Sequence, residues 1–317
     1  MVDGFQVEDV ARLLHAAIPE WQSQVLVPVK ISGGMTNQNY CVKVADATYF
    51  VRIASEGSER LGIFRDDEYQ ANRIAGNLGV APDVCYYLPG KKILVTTYVQ
   101  GRVIGTEEFQ DRHRLQQVVD ILKTIHQTTP NVRRFSVFDM VADYYGLVRQ
   151  RDAALGQRIS RLLAWMEAHS NYLPTIPMGL CHNDLLAANF VCQEESNHRL
   201  WLVDWEYAGI GTPYFDLANF ASNQQLSSDL ERLMLELYFG PDDLDYQVAA
   251  IHVMRLWSDL REALWAFVQQ YISLLDFDFT RYGEGYLLRV EQRLADPATN
   301  QAHQVLMNRN TRNGTSH

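Results

Sequence analysis

Two short polar segments constrain what this chain can fold into more than any other part of it. The first contains His182 and Asp184, with Asn189 five residues beyond the aspartate, and the second begins with Asp204. Asp204 follows the apolar run 199–203, which predicts a buried strand, whereas the first segment predicts a loop. Side chains on a loop and at a strand end can converge on one cleft, so these polar groups are expected to form a single site.

The residue types in this pattern point to phosphoryl transfer from ATP. That reaction needs a carboxylate near the attacking hydroxyl and oxygen ligands that hold Mg²⁺ against the phosphates. Asp184 is predicted as the base or hydroxyl-orienting group, and Asn189 and Asp204 as the metal ligands, because amide and carboxylate oxygens are hard ligands. His182 taken alone is more typical of a hydrogen-bonded structural histidine.

Residues 182–189 and 204–209 resemble the choline/ethanolamine kinase family, a branch of the aminoglycoside-phosphotransferase group, and the resemblance runs from about Ile31 to Tyr282. It implies an α+β, protein-kinase-like bilobal fold with ATP and Mg²⁺ as cofactors. An N-terminal lobe with an antiparallel sheet would bind ATP, and a mainly helical C-terminal lobe would carry catalysis and substrate binding. The implied lobes are residues 1–100 and 101–302.

A strand, a glycine turn and a second strand follow one another near the N-terminus. The turn contains Gly33 and Gly34, and Thr36 and Asn37 come directly after it. Two adjacent glycines alone favour an ordinary tight hairpin. In the fold that the resemblance implies, this hairpin covers the ATP phosphates, which glycine allows backbone amides to approach. These four residues are therefore implied to bind ATP.

Arg52 is the one charge in the next predicted strand. The resemblance implies that it contacts the phosphates and pairs with Glu68 on the following helix, with Asp67 as the competing partner and a solvent-facing arginine as the alternative. The resemblance also implies that the backbone of Thr97 and Val99 binds adenine at a hinge after the last strand.

The C-terminal half contains aromatic residues suited to a cation. An ammonium group can be held by aromatic faces and a carboxylate, although a helix rich in Trp and Phe is more often simply core. By resemblance, the carboxylate is Glu206 or Glu262. The candidate rings are Tyr207, Trp265, Phe277, Phe279 and Tyr282. Animal choline kinases have a second tryptophan where this chain has Glu262, so a primary ammonium stays open as the substrate group.

The amino-acid composition of the chain limits the kinds of partner that it is expected to bind. The chain has 28 basic and 38 acidic residues and a net charge of −10, without a basic run, so nucleic acid is not an expected partner. The N-terminus lacks a leader pattern and no run spans a bilayer, so a cytoplasmic protein without membrane insertion is expected. The resemblance implies a small amino alcohol as the partner, and monomer and homodimer both stay open. Residues 303–317 are polar and aperiodic and predict a disordered tail.

Two alternatives remain at this stage. A kinase of another small hydroxylated molecule, such as thiamine or an aminoglycoside, shares the reaction class. A nucleotide-binding pseudokinase would be favoured by loss of Asp184, Asn189 or Asp204, and all three are present. Asp216 is predicted as an architectural residue that caps a helix or hydrogen-bonds the catalytic loop.

Overall fold

A computed structural model gives the fold of residues 7–31, 37–55, 57–196, 198–273 and 275–314. The chain divides into two compact units. The first comprises Met1–Val103, Pro130–Val132 and Asn189–Ala208, and the second comprises Ile104–Thr129, Arg133–Ala188 and Gly209–His317. The first unit therefore includes a later segment with both predicted metal ligands. A lobe boundary at residue 100 stays a prediction.

The first unit is built on a five-stranded antiparallel sheet with the strand order β1-β2-β3-β5-β4. Numbered along the whole chain, its strands are Leu26–Ile31 (β1), Asn37–Val44 (β2), Ala47–Ala54 (β3), Val84–Leu88 (β4) and Ile93–Thr97 (β5). Strand β3 is central, with Arg52 opposite Asn39 of β2 and Leu94 of β5. The arginine is thus flanked by strands on both sides.

Period-two burial explains how this sheet acquires a core. In β2, Tyr40, Val42 and Val44 are buried, whereas Lys43 between them is exposed. The same core contains Val10 and Leu14 of helix α1 (Val7–Ala17), and this helix packs on β1. The unit also contains a second helix and a three-stranded antiparallel sheet. These elements are α1 (Val7–Ala17), α2 (Arg65–Asn77), β6 (Arg102–Val103), β8 (Phe190–Gln193) and β9 (Arg199–Leu202).

The second unit is mainly helical. Its elements are α3 (Arg112–His126), α4 (Val137–Arg151), α5 (Ala153–Ser170), α6 (Pro213–Asn223), α7 (Ser228–Phe239), α8 (Leu244–Ile272), α9 (Phe279–Ala295) and α10 (Pro297–Gly314), with β7 (Gly179–Cys181) paired to β10 (Gly209–Gly211). The 29-residue helix α8 is buried over most of its length, and α4, α6, α9 and α10 pack on it. None of the described helices is both long and apolar enough to cross a membrane.

Helices α8 and α9 approach each other closely at Gly283. A Cβ atom at this position would lie 3.1 Å from the carbonyl oxygen of Ala263 and 2.8 Å from the Phe267 ring. Only glycine fits this contact without a shift of the neighbouring backbone. The close approach places Glu262 of α8 beside Tyr282 of α9.

The prediction of a disordered tail over 303–317 is wrong for residues 303–314. These residues belong to helix α10, which begins at Pro297. Asp296 precedes the helix and accepts a hydrogen bond from the backbone N–H of Ala298 at 2.9 Å. Ala302 and Leu306 are buried at helical spacing, and the helix packs on α8. Packing on α8 and two buried apolar side chains thus order a segment whose composition is otherwise polar.

Candidate active site

Arg52 is buried in the first unit between two carboxylates. It is 4% exposed and donates a hydrogen bond to Glu68 of α2, so Glu68 is its partner as predicted, and the solvent-facing alternative is wrong. Its Nη2 atom also lies 2.9 Å from Oδ1 of Asp204. Burial alone would lower the pKa of Arg52, but Asp204, Glu68 and Glu206 outweigh it and raise the pKa above its usual range. The guanidinium is therefore fixed in position and charged.

A second arginine, Arg65 at the start of α2, joins this cluster. It donates to Glu68 Oε2 at 2.6 Å, to Glu206 Oε2 at 3.3 Å and to Asn37 Oδ1 at 2.7 Å. The sequence interpretation missed Arg65, although its position three residues before Glu68 places both on one helix face.

Glu206 belongs to the same cluster. Its carboxylate accepts a hydrogen bond from Asn37 Nδ2 at 2.8 Å in addition to the one from Arg65. Burial and the nearby charge of Asp204 raise the pKa of Glu206, whereas Arg52 and Arg65 oppose that shift. Asn37 and Glu206 together connect the start of β2 to the residues that follow β9.

The two predicted metal ligands lie next to each other in the first unit. The backbone N–H of Val203 donates to the Asn189 carbonyl at 2.9 Å, which ties the residue before Asp204 to Asn189. Asp204 has a φ of +67°, a left-handed conformation that costs energy outside glycine and is frequent at functional sites. Its buried Oδ1 is in ion-pair contact with Arg52 but accepts no hydrogen bond from the described residues. A hard divalent cation fits this oxygen donor set.

The remaining predicted ATP contacts have different outcomes. Gly33, Gly34 and Thr36 lie outside the described residues. Thr97 ends β5, and its N–H donates to the Asp83 carbonyl at 2.9 Å, so only its carbonyl is suited to a contact with adenine. Val99 follows β5 without regular secondary structure.

In the second unit, Asp216 of α6 organises the loop that contains Asp184. Its buried carboxylate accepts hydrogen bonds from the backbone N–H groups of His182 at 2.8 Å and Asn183 at 2.7 Å. The His126 ring is also bonded to it at 3.0 Å. The architectural role predicted for Asp216 is consistent with these contacts. The N–H of Asp184 donates to His182 Nδ1 at 3.3 Å, so the histidine supports the loop.

Asn219, one turn further along α6, holds the other side of the loop. Its Oδ1 accepts a hydrogen bond from the backbone N–H of Leu185 at 2.6 Å. Asn183 has a φ of +66°, a conformation that Asn tolerates better than most residues. The loop backbone next to Asp184 is therefore held in a bend by side chains of one helix.

The predicted substrate residues of the second unit form one cluster on α8, on α9 and, for Phe277, in the segment just before α9. Ring centroids lie 6.0 Å apart for Trp265 and Phe279, 6.3 Å for Trp265 and Tyr282, and 5.8 Å for Phe277 and Tyr282. The Tyr282 hydroxyl donates to Glu262 Oε1 at 2.8 Å. We call Glu262, Trp265, Phe277, Phe279 and Tyr282 the ring cluster. It contains a buried carboxylate bordered by aromatic rings.

Exposure within the ring cluster differs from that of an ordinary core. Phe277 is 44% exposed, whereas Trp265 and Phe279 are buried. Burial, followed by the charge of Glu262, raises the pKa of Tyr282 above its usual range, so this hydroxyl stays protonated and can donate.

Tyr286, 5.1 Å from Tyr282 between ring centroids, also belongs to this region and was missed. Its spacing of four residues on a helix was the available signal.

The other two predicted substrate residues, Glu206 and Tyr207, stay a prediction. Glu206 and Tyr207 belong to the first compact unit, whereas the ring cluster belongs to the second. Tyr207 is buried. The carboxylate of Glu206 is already bonded to Asn37 and Arg65, so Glu262 is the carboxylate found among the rings.

Comparison with known proteins identifies the family to which the chain belongs. Residues 28–252 match the model of the phosphotransferase enzyme family, and the chain belongs to that family. It is 26% identical over 276 residues to protein LicA of Haemophilus influenzae, covering 84% of this chain and 78% of LicA. It is 24% identical over 302 residues to ethanolamine kinase 2 of Rattus norvegicus, covering 86% and 77% of the two chains.

Solved structures give the same fold. A choline/ethanolamine kinase family protein from Mesorhizobium loti superposes with a TM-score of 0.77 at 23% identity, covering 95% of this chain and 99% of that one. Choline kinase LicA from Streptococcus pneumoniae gives a TM-score of 0.75 at 23% identity, covering 90% and 99%. The predicted fold class, the resemblance and the reaction class are confirmed.

Proposed function

We propose that this protein is a cytoplasmic, ATP-dependent kinase that phosphorylates the hydroxyl group of choline or ethanolamine. The observation that carries the proposal is the ring cluster, in which a buried carboxylate is bonded to Tyr282 and bordered by aromatic rings. It belongs to the same compact unit as Asp184. Relatives named ethanolamine kinase, over most of the chain, support the same substrate class.

The first unit would bind the nucleotide. Arg52, fixed by Glu68, would contact the phosphates, since a planar guanidinium suits phosphate oxygens. Gly33, Gly34 and Thr36 would cover them, with Asn37 holding the end of this hairpin through Glu206 and Arg65. The carbonyl of Thr97 and the backbone of Val99 would bind adenine.

Asn189 and Asp204 would hold Mg²⁺. The buried Asp204 Oδ1, which accepts no hydrogen bond from the described residues, and the backbone bond between Val203 and Asn189 support this assignment. When bound, the ion neutralises phosphate charge and aligns the transferred group.

In the second unit, Asp184 would accept a hydrogen bond from the substrate hydroxyl and orient it. The hydroxyl oxygen then forms a bond to the γ-phosphorus as the bond to ADP breaks, and the hydroxyl proton passes to Asp184. Glu262 would face the substrate ammonium, with Trp265, Phe277, Phe279 and Tyr282 around it. Glu206 and Tyr207 stay predicted substrate residues, although the carboxylate of Glu206 is already bonded to Asn37 and Arg65.

Turnover with a panel of acceptors tests the proposal. We expect ATP-dependent phosphorylation of choline or ethanolamine with Mg²⁺, and little with thiamine or an aminoglycoside, since a polycation calls for several carboxylates. Asp184→Asn is expected to lower kcat by about 10³-fold while ATP still raises the melting temperature. Turnover only with thiamine or the aminoglycoside would overturn the substrate assignment. ATP binding without turnover of any acceptor would favour a pseudokinase.

A further inference from the structure

Arg261 of helix α8 is buried next to the loop that contains Asp184. It is 1% exposed, and its Nη2 atom donates to the carbonyl oxygen of Asn183 at 2.8 Å. The same Nη2 lies 3.4 Å from Oδ1 of Asp184. One guanidinium nitrogen therefore contacts both the bent backbone before Asp184 and the carboxylate itself.

The other arm of the same guanidinium faces the ring cluster. Nη1 of Arg261 lies 3.4 Å from Oε2 of Glu262, whose Oε1 accepts the hydrogen bond from Tyr282. A guanidinium is planar and its donors diverge at fixed angles, so both arms move together. Arg261 thus connects the carboxylate assigned to the substrate hydroxyl with the carboxylate assigned to the substrate ammonium.

This connection limits the distance between the two carboxylates. With 3.4 Å on each side of the guanidinium, the contacting oxygens of Asp184 and Glu262 lie within about 9 Å of each other. An extended two-carbon amino alcohol with one hydrogen bond at each end spans about 9 Å as well. Each further methylene lengthens the molecule by about 1 Å or more. The upper limit on the separation therefore accommodates an extended two-carbon amino alcohol but not an extended longer one.

We propose that Arg261 is a positioning residue that fixes the separation of Asp184 and Glu262 and thereby selects a two-carbon amino alcohol over longer ones. The proposal rests on the proposed function, because it assumes that the substrate hydroxyl meets Asp184 and the ammonium meets Glu262. Arg261 contacts neither reacting atom in this scheme. It acts through the two carboxylates.

The test compares kcat and KM of three variants with ethanolamine, 3-amino-1-propanol and 4-amino-1-butanol. Arg261→Gln removes both charge contacts, and Arg261→Lys keeps the charge but cannot hold two carboxylates at a fixed angle. Arg255→Gln is the matched control. Arg255 lies on the same helix, is 8% exposed and is paired with Glu231, outside the proposed site.

We expect Arg261→Gln to lower kcat with ethanolamine by about 100-fold, the usual effect of misplacing a reacting group by about 1 Å, with the KM for ATP changed less than about threefold. In Arg261→Lys, kcat should recover about tenfold over the glutamine variant, while the preference for ethanolamine over 3-amino-1-propanol, measured as a ratio of kcat/KM values, falls by about tenfold. Arg255→Gln should lower the melting temperature and leave that ratio unchanged.

Four results would overturn the proposal. One is an Arg261→Lys enzyme with the wild-type preference for chain length. Another is an Arg255→Gln enzyme that loses the preference to the same degree, which would reduce Arg261 to a stabilising residue. If Arg261→Gln does not fold, the lysine variant decides alone. Wild-type protein that turns over no amino alcohol would overturn the proposed function together with this proposal, whereas an active wild type with no chain-length preference would overturn this proposal only.

Discussion

The two compact units hold charge in opposite ways. In the first, two arginines are packed against the three carboxylates of Glu68, Asp204 and Glu206. In the second, the carboxylate of the ring cluster contacts one arginine, Arg261, and is otherwise bordered by aromatic side chains. The difference matches the proposed ligands, because a triphosphate with its metal carries several charges, whereas an ammonium carries one and can be held by rings. Loss of one charge should therefore have larger effects among these ion pairs of the first unit than in the ring cluster.

The largest effect is expected for Asp204→Asn. The change removes the charge that faces Arg52 and weakens the proposed metal site, so kcat should fall by about 10³-fold and the Mg²⁺ concentration for half-maximal activity should rise. Steady-state kinetics over a magnesium titration measures both. Glu194→Gln, which breaks an exposed pair with Arg102 in the same unit, is the control and should stay within about twofold. A kcat within tenfold of wild type would remove Asp204 from the metal site.

The next effect concerns stability. Glu68→Gln removes the charge that pairs with the buried Arg52 and with Arg65, and breaking a buried pair costs about 3 kcal/mol of unfolding free energy. Urea denaturation measures the loss. Glu59→Gln breaks the exposed pair with Lys92 and should cost less than about 0.5 kcal/mol. Equal losses in both variants would mean that burial does not distinguish the Arg52 pair.

The sequence allowed much of the first unit's site to be predicted because its residues stand next to recognisable patterns. Arg52 is a lone charge in an apolar strand, and Glu68 lies on the helix that follows. Arg65 has one signal, its position three residues before Glu68, but its contacts with Asn37 and Glu206 depend on long-range packing. The sequence motif identifies the residues of the site, but it does not show the hydrogen bonds and ion pairs that fix their side chains.

The second unit shows where sequence patterns lose information. Helix α8 is buried on nearly all sides, so periodicity cannot tell which face lies against the catalytic loop, and Arg261 gave no signal. The order of α10 was missed for a related reason. Its docking depends on Ala302 and Leu306, two apolar positions in a polar segment. Both errors come from tertiary contacts that composition does not record.

The third prediction tests the carboxylate of the ring cluster. Glu262→Gln keeps the shape but removes the charge, and a hydrogen bond to a charged group contributes about 1.5–3 kcal/mol, so kcat/KM for ethanolamine should fall by about 20-fold. Choline donates no N–H, so its value should fall only about fivefold. The control is Glu284→Gln on α9, which breaks an exposed ion pair with Arg158 of α5. Equal losses of kcat/KM for both substrates would show that Glu262 does not accept hydrogen bonds from the ammonium N–H groups of ethanolamine.

The smallest effect is expected away from both sites, where His303 of α10 contacts His169 of α5 with ring centroids 3.8 Å apart. Burial, and then the charge of His169, lowers the pKa of His303 below the usual 6.5. Because the folded-state pKa is the lower one, the stability that this group contributes is present above about pH 6.5 and is lost as the pH falls. The loss should stay below about 1 kcal/mol, since the ring is partly exposed.

Urea denaturation at pH 7.5 and 5.5 should therefore show a smaller pH dependence for His303→Gln than for wild type, with exposed His113→Gln as control. Since His303 touches neither the ion pairs of Arg52 and Arg65 nor the ring cluster, the kcat of His303→Gln with ethanolamine should equal that of wild type at pH 7.5. A change in kcat would link α10 to the site.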